Sequence, residues 1–372
     1  MKVNKFEIEH IDPLGQGVSK KDDKIIFIPK TLPGESGTCE ILKSKKKVHF
    51  AKATKVDRKS DLRIEDQCPH FHECPSCHYL HTDYEQEVVF KEEALKRHFR
   101  TIQSQLDSSK IHIHKASERF GYRNRIQLHY DVEENKLGYF DALQESIVEV
   151  PKCKLLRSEL QEKFDQLYQN WQRKIGPKDK AQGHFEIYLK DHEVSVHHNK
   201  NYAHGGFSQV NEKMNQLMNL TLSTHLEERS GNAIDLFGGS GNLTATSAHL
   251  KTLVIDGTET KYIKVKEHQS YRQLNLYGRK APEHFSQLLD QFFSEKCETL
   301  IIDPPRSGLK NIDAFLEKAS YPEMIYYIGC ECPNLVRDLA KISDRYELLE
   351  VHLFDLFPGT RHFETLAILK RR

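Results

Sequence analysis

No stretch of the 372 residues comes near the roughly 18 consecutive apolar residues that a membrane-spanning helix needs. The opening decapeptide, MKVNKFEIEH, is charged throughout and lacks the apolar core of a secretory signal, so a cytoplasmic protein is expected. An excess of one charge is also missing. The 55 Lys and Arg stand against 54 Asp and Glu, a net +1, which excludes a uniformly basic, histone-like protein. Internal repeats and low-complexity segments are absent. So is the Gly-Lys-Ser/Thr signature of P-loop nucleotidases. The length suits two or three domains at roughly 100–200 residues each.

Charge is present, but unevenly. Residues 1–60 hold 14 Lys and Arg against 8 Asp and Glu, and Lys43, Lys45, Lys46 and Lys47 are nearly contiguous. Such a patch binds phosphates while the rest of the chain balances it; a solvated turn is the plainer reading. Eight cysteines in a reducing compartment suit metal or catalytic duty before disulfides. Cys68, Cys74 and Cys77 cluster, Cys153 stands apart, Cys330 and Cys332 form a close pair, and Cys39 and Cys297 are isolated.

Three patterns follow one another along the chain. Residues 1–58 alternate β-prone runs, such as Lys24-Ile25-Ile26-Phe27-Ile28, with turns at Gly15-Gln16-Gly17 and Pro33-Gly34-Glu35. Several short strands in that span predict a small barrel of the OB type, a fold that often grips nucleic acid. Residues 59–204 open with a Cys/His-rich segment, continue with a helix of period 3.6 over 84–103, and then show strand-like runs over 123–130, 147–150 and 185–197. From residue 205, apolar runs at 233–237, 252–256, 299–303 and 324–328 alternate with helical segments, as in a parallel α/β sheet. Runs at 348–357 and 362–369, joined through Pro358-Gly359-Thr360, predict a terminal antiparallel pair.

Five motifs carry chemistry. Asp235-Leu236-Phe237-Gly238-Gly239-Ser240-Gly241-Asn242 reads as a strand, a glycine-rich loop and a helix start, the setting in which a backbone approaches a nucleotide closely. Glu259, 24 residues after Asp235, suits a ribose acceptor, with Asp256 as its competitor. Asp303-Pro304-Pro305-Arg306 follows a later strand, where open α/β sheets bind ligands; a carboxylate in a stiff turn is the bland alternative. Cys330, between a strand and a helix start, is a candidate nucleophile whose thiolate a helix dipole favours, against the bland alternative of a buried structural thiol. Glu364 opens an apolar strand, where withdrawal from water raises a carboxyl pKa and suits it to act as a base; an exposed strand residue is its alternative. Around Cys68-x5-Cys74-x2-Cys77, the residues His70, His72, His78 and His81 leave zinc and an iron–sulfur cluster both open.

Taken together, these motifs resemble the bacterial RNA (uracil-5-)-methyltransferases, in particular the 23S ribosomal RNA branch with an N-terminal TRAM domain and a [4Fe–4S] cluster. The likeness extends over nearly the whole chain and adds Tyr122-Arg123-Asn124-Arg125 and Phe207-Ser208-Gln209-Val210-Asn211. It implies a Rossmann-like class I methyltransferase domain over 205–372, an OB-like TRAM barrel over 1–58 and a small α+β iron–sulfur domain over 59–204, with a helical segment near 87–117 packed on the catalytic domain. It implies S-adenosylmethionine contacts at Gln209, Phe237, Asn242, Glu259 and Asp303, a nucleophile at Cys330, a base at Glu364, and cluster ligands at Cys68, Cys74, Cys77 and Cys153. The implied partner is RNA, ribosomal before transfer, and nothing in the sequence demands more than a monomer. Departures fall beside the nucleophile: Gly329, Glu331 and Cys332 differ from the family's pattern, as does Gly238 in the glycine loop. An RNA-binding or assembly factor that has lost catalysis is the rival of a different class.

Overall fold

The computed structural model describes residues 3–21, 23–102, 107–201, 209–260, 263–294 and 296–372. The chain divides into two compact units, Met1–Ala94 with Ala116–Glu212 and Leu356–Arg361, and Leu95–Lys115 with Lys213–Asp355 and His362–Arg372.

The first unit carries two sheets. Six strands, β1 (Val3–Glu7), β2 (His10–Ile11), β3 (Gln16–Lys21), β4 (Lys24–Pro29), β5 (Ser36–Lys45) and β6 (Val48–Arg58), pair in the order β1-β5-β6-β4-β3-β2. This curled, barrel-like sheet buries Phe6, Ile8, Ile26, Ile28, Cys39 and Ala51 on its inner face. The lysine cluster lies on the β5–β6 hairpin, where Lys45 pairs with Val48 and Lys46 takes φ 55° at the turn. After helix α1 (Tyr84–Phe99) and strand β7 (Ile111–His114) come β8 (Arg125–Asp131), β9 (Lys136–Asp141) and β10 (Ser146–Val148). Helix α2 (Ser158–Asn170) precedes β11 (Gln182–Lys190) and β12 (Glu193–His198), and these five strands pair as β10-β9-β8-β11-β12. α2 buries Leu160, Phe164 and Leu167, spaced four and three residues apart, against that sheet.

The single strand read over 185–197 is two strands. Asp191 and His192, both at positive φ, turn the chain between them. The predicted helix ends at Phe99, and β7, inside the segment assigned to a helix near 87–117, is a strand.

Helix α3 (Glu212–Glu227) leads into the second unit's sheet, built from β7 and from β13 (Asn232–Leu236), β14 (Lys251–Asp256), β15 (Gln269–Gln273), β16 (Thr299–Ile302), β17 (Met324–Gly329), β18 (Tyr346–Phe354) and β19 (Glu364–Arg371). Its order, β15-β14-β13-β16-β17-β19-β18-β7, is the mixed sheet of a class I methyltransferase with one added edge strand. Every residue of β16 and β17 is buried, as befits central strands covered on both faces. Helices α4 (Ala281–Phe292), α5 (Ile312–Lys318) and α6 (Cys332–Ala340) supply covering side chains such as Phe285, Phe315 and Leu335, each about 1.5–3 kcal/mol when fully buried. The glycine loop does not open an α-helix. It runs into a single 3-10 turn, Asn242–Thr244, so no long helix dipole points at it.

Candidate functional site

The second unit gathers its chemistry along one edge of the sheet. Parallel pairing sets Ile302 of β16 beside Tyr327 of β17, so Asp303 and Cys330 leave neighbouring strands at the same end. Antiparallel pairing sets Gly329 beside Thr365, which makes Cys330 and Glu364 the next opposed pair. Neighbouring strands lie about 4.8 Å apart, so a carboxyl, a thiol and a second carboxyl emerge side by side. On the other side of β16, β13 brings up the glycine loop.

That edge is crowded with anionic groups. Burial pushes the Asp303 carboxyl up to about 7. Glu364 is 4 % exposed, and burial, then the charge of Asp303, hold its carboxyl well above the usual range. The Cys330 thiol is half-buried and raised to about 12, first by desolvation and then by Glu364, with Glu331 and Asp303 adding to it. Arg306, on the loop after Asp303, opposes the shift in both. The thiolate favoured by a helix dipole is therefore not the resting state. α6 starts two residues later behind Glu331, and burial among carboxylates outweighs its dipole. Cys332 is buried at 4 % and raised to about 12 by burial, a thiol packed inside.

Residues of α6 hold the Asp303 loop in place. Asn334 Nδ2 donates to the Arg306 carbonyl at 2.6 Å, Arg337 donates to the Ser307 carbonyl at 2.8 Å, and Asp338 accepts from the Leu309 amide at 2.6 Å and from the Tyr327 hydroxyl at 2.7 Å. A side chain at position 329 would come within 3.2 Å of Leu335, so glycine there lets the start of α6 pack against β17.

Around the glycine loop, Asp235 is fully buried and raised to about 7 by desolvation, with Thr244 Oγ1 donating to it at 3.2 Å. A Cβ at Gly238 would lie 2.6 Å from the Asp235 carboxyl carbon, so this loop closes over that acid only with glycine. Phe237 adopts φ 61°, a left-handed conformation that costs a non-glycine residue about 1–3 kcal/mol. Its ring is 5.4 Å from that of Tyr277. Asp256 accepts from the amides of Thr258 at 2.8 Å and Gly239 at 3.3 Å, which occupies the competitor with loop bracing. Glu259 and Asn242 are exposed. Gln209 belongs to the first unit, where its carbonyl accepts from Asn124 at 3.0 Å; Phe207 and Ser208 of the same motif lie outside the described residues.

Sequence reasoning missed Tyr277 and Arg306 as site residues. Tyr277 follows a polar strand with no apolar signal, and its hydroxyl donates to the Gly308 carbonyl at 3.0 Å. Arg306 lies within Asp303-Pro304-Pro305-Arg306, but its charge matters only through folded neighbours.

In the first unit, Cys68, Cys74, Cys77 and Cys153 line one apolar cavity with Phe71, Leu80, Tyr139, Val150 and Leu155. Burial raises Cys68, Cys74 and Cys77, while Lys30, Lys154 and Arg123 pull the other way. Lys30 Nζ also donates to the Cys74 carbonyl at 2.8 Å. Among the described residues, the trio of metal-type donor atoms within 4.8 Å of one another is His112, Glu350 and His352, so no three of these sulfurs, and no pair of them with a histidine nitrogen, approach so closely.

Comparison with known proteins agrees with the edge geometry. The family of tRNA (Uracil-5-)-methyltransferases matches residues 280–372, which span Asp303, Cys330 and Glu364. The 23S rRNA (uracil(1939)-C(5))-methyltransferase of Vibrio parahaemolyticus is 25% identical over 98% of this chain and 95% of its own. Over nearly its whole length the chain is thus similar to an RNA uracil-C5-methyltransferase. An RNA methyltransferase of Bdellovibrio bacteriovorus is 27% identical over 98% of this chain and 94% of its own. Among solved structures, the tRNA (uracil-54, C5)-methyltransferase of Pyrococcus abyssi, in complex with S-adenosyl-L-homocysteine, has the same fold with a TM-score of 0.69 at 20% identity, covering 98% of this chain and 99% of that one. The names of these relatives describe methylation of uracil C5 in RNA. No helix among the described residues is long and apolar enough to cross a membrane.

Proposed function

We propose that this chain is an S-adenosylmethionine-dependent uracil-5-methyltransferase acting on a uridine of 23S ribosomal RNA, with Cys330 as nucleophile and Glu364 as base. The observation that carries the residue roles is the pairing of β17 with β19, which delivers a thiol and a buried carboxyl to adjacent positions beside Asp303. Uracil C5 is a poor nucleophile because its π-electrons are delocalised into the ring. Addition of the Cys330 Sγ to C6 makes an enolate with electron density at C5. S-adenosylmethionine supplies an electrophilic methyl group to that carbon. Glu364 then takes the C5 proton, the electron pair re-forms the C5–C6 double bond, and Cys330 leaves. The high pKa of Cys330 sets the order of events. A positive charge entering among Glu364, Asp303 and Glu331 lowers it by the Coulomb effect that now raises it, so thiolate forms when the site is filled. The target base leaves its stack to reach such an edge.

Phe237, Asn242, Glu259 and Asp303 are assigned to the cofactor on the loop geometry together with the resemblance, and Gln209 on the resemblance alone. Cys68, Cys74, Cys77 and Cys153 suit a [4Fe–4S] cluster. Four thiols around one apolar cavity match its ligand count. Their spread exceeds the roughly 3.8 Å edge of a zinc tetrathiolate with bonds of about 2.3 Å. Methyl transfer needs no electron, so the cluster would supply a rigid structural tie. Ribosomal RNA is favoured by near-complete alignment with relatives named for 23S RNA.

The test offers anaerobically purified protein radiolabelled S-adenosylmethionine and, side by side, unmodified 23S ribosomal RNA and transfer RNA, and then maps 5-methyluridine. Label at one defined uridine of 23S RNA is the expected result. Label in transfer RNA alone overturns the substrate, and label in neither, from protein retaining its iron, favours the assembly-factor reading.

A further inference from the structure

In the second unit, three histidines from three elements converge on one carboxylate oxygen. Glu350 Oε2 is 3.1 Å from His352 Nε2, 3.5 Å from His112 Nε2 and 3.7 Å from His225 Nε2. β18 supplies Glu350 and His352, two residues apart and so on one face. A register shift between Leu348 and Glu350 sets that phase, as bulges commonly do when they re-aim a side chain. His112 comes from β7, paired directly beside His352, and their rings stack with centroids 4.6 Å apart. His225 comes from the last turn of α3, edge-on to His352.

We infer that His112, Glu350 and His352, whose donor atoms all lie within 4.8 Å of one another, form a site for a borderline divalent cation such as Zn2+, with His225 beside the ligand set, separate from the cysteine cluster and from the methyl-transfer edge. The separations decide the class of ligand. Bonds of about 2.0–2.1 Å in a tetrahedron put neighbouring donor atoms about 3.3 Å apart, and the separations of 3.1 and 3.5 Å from Glu350 to His352 and His112 bracket that figure. Imidazoles with a single carboxylate select zinc-like ions over magnesium or calcium, which demand mostly oxygen. The ring orientation is already prepared. His352 Nδ1 lies 3.0 Å from His114 Nε2, a ring-to-ring hydrogen bond that fixes the His352 ring with Nε2 facing Glu350. His114 is itself held flat on Phe354, centroids 4.2 Å apart. His352 is buried, whereas His112 and Glu350 remain 44% and 37% exposed, which gives an ion a way in. A bound ion would clip β7 and β18 together across a sequence separation longer than 200 residues, where closing a loop removes the most chain entropy.

The test uses the full chain as purified, incubated with one equivalent of Zn2+ and desalted. Metal content, X-ray absorption at the zinc edge and the melting temperature are then read. Retained zinc with a nitrogen/oxygen shell at about 2.0 Å, and a raised melting temperature, are expected. His112→Ala, at an exposed position on an edge strand, and Glu350→Gln each weaken retention at least about tenfold and abolish the thermal rise. Should either variant fold poorly, the other and the wild-type absorption spectrum still decide. A shell of sulfur alone at about 2.3 Å, no retained zinc, or equal retention in both variants overturns the site.

Discussion

Two regions of the molecule bury cysteines, and they bury them in opposite company. At the sheet edge, Cys330 sits among Glu364, Glu331 and Asp303, with Arg306 as the opposing cation. In the first unit, the four clustered cysteines have Lys30, Lys154 and Arg123 about them. Desolvation raises thiol pKa values in both places, so burial does not distinguish them. The neighbours do. A thiol ringed by carboxylates stays protonated until a positive ligand arrives, which suits a nucleophile needed once per turnover. Thiols ringed by lysine and arginine tolerate permanent negative charge, which suits ligands of a resident metal cluster.

The sharpest way to break this contrast is to remove one sulfur from each region. Cys330→Ala is expected to lower methylation at least about 1,000-fold and to leave iron content unchanged. Cys74→Ser is expected to lose most of the iron and the brown colour. Iron loss from the Cys330 variant, or full iron in the Cys74 variant, would erase the distinction.

A smaller effect tests the anionic crowding. Glu364 is the largest Coulomb contributor to the Cys330 shift, so Glu364→Gln lowers that thiol's pKa. Alkylation of Cys330 at pH 8 in ligand-free protein should then speed up by roughly threefold to tenfold. The same variant should accumulate a protein–RNA adduct stable to denaturing electrophoresis. Unchanged alkylation and no adduct would remove Glu364 from the site.

The smallest effect is on stability. Asp235 is raised from 3.8 to about 7 in the folded chain, so its contribution is fully present below pH 4 and is lost as pH rises towards 7. Asp235→Asn should flatten that part of the pH profile and gain about 2–4 kcal/mol at pH 8, read as a higher melting temperature. A profile parallel to wild type would show that Asp235 ionises freely.

Much of the catalytic sheet was legible because its central strands are continuous apolar runs. Residues 299–303 and 324–328 fall on β16 and β17 almost to the residue, and the terminal antiparallel pair is β18 with β19. Edge strands were not legible. β15 reads Gln-Ser-Tyr-Arg-Gln and β7 reads Ile-His-Ile-His, half-polar segments whose partners lie far away in sequence. The hairpin between β11 and β12 was hidden because Asp191 and His192, rather than glycine, take the positive φ. At the site, residue types and order marked Cys330, Glu364 and Asp303. The direction of the Cys330 shift was misread, because a helix start is visible in sequence and the packing of three carboxylates around it is not.

β7 has a consequence in time. Ile111 pairs with Val351, 240 residues later. At about 5–20 residues per second, the ribosome delivers the partner on the order of 10–50 seconds after the strand itself has emerged. Throughout that interval an edge segment with unpaired amides and carbonyls waits in solution, exposed to other nascent chains. Its alternating histidines dilute the apolar character that would otherwise recruit a wrong partner, and the sheet is complete only once β18 and β19 have been made.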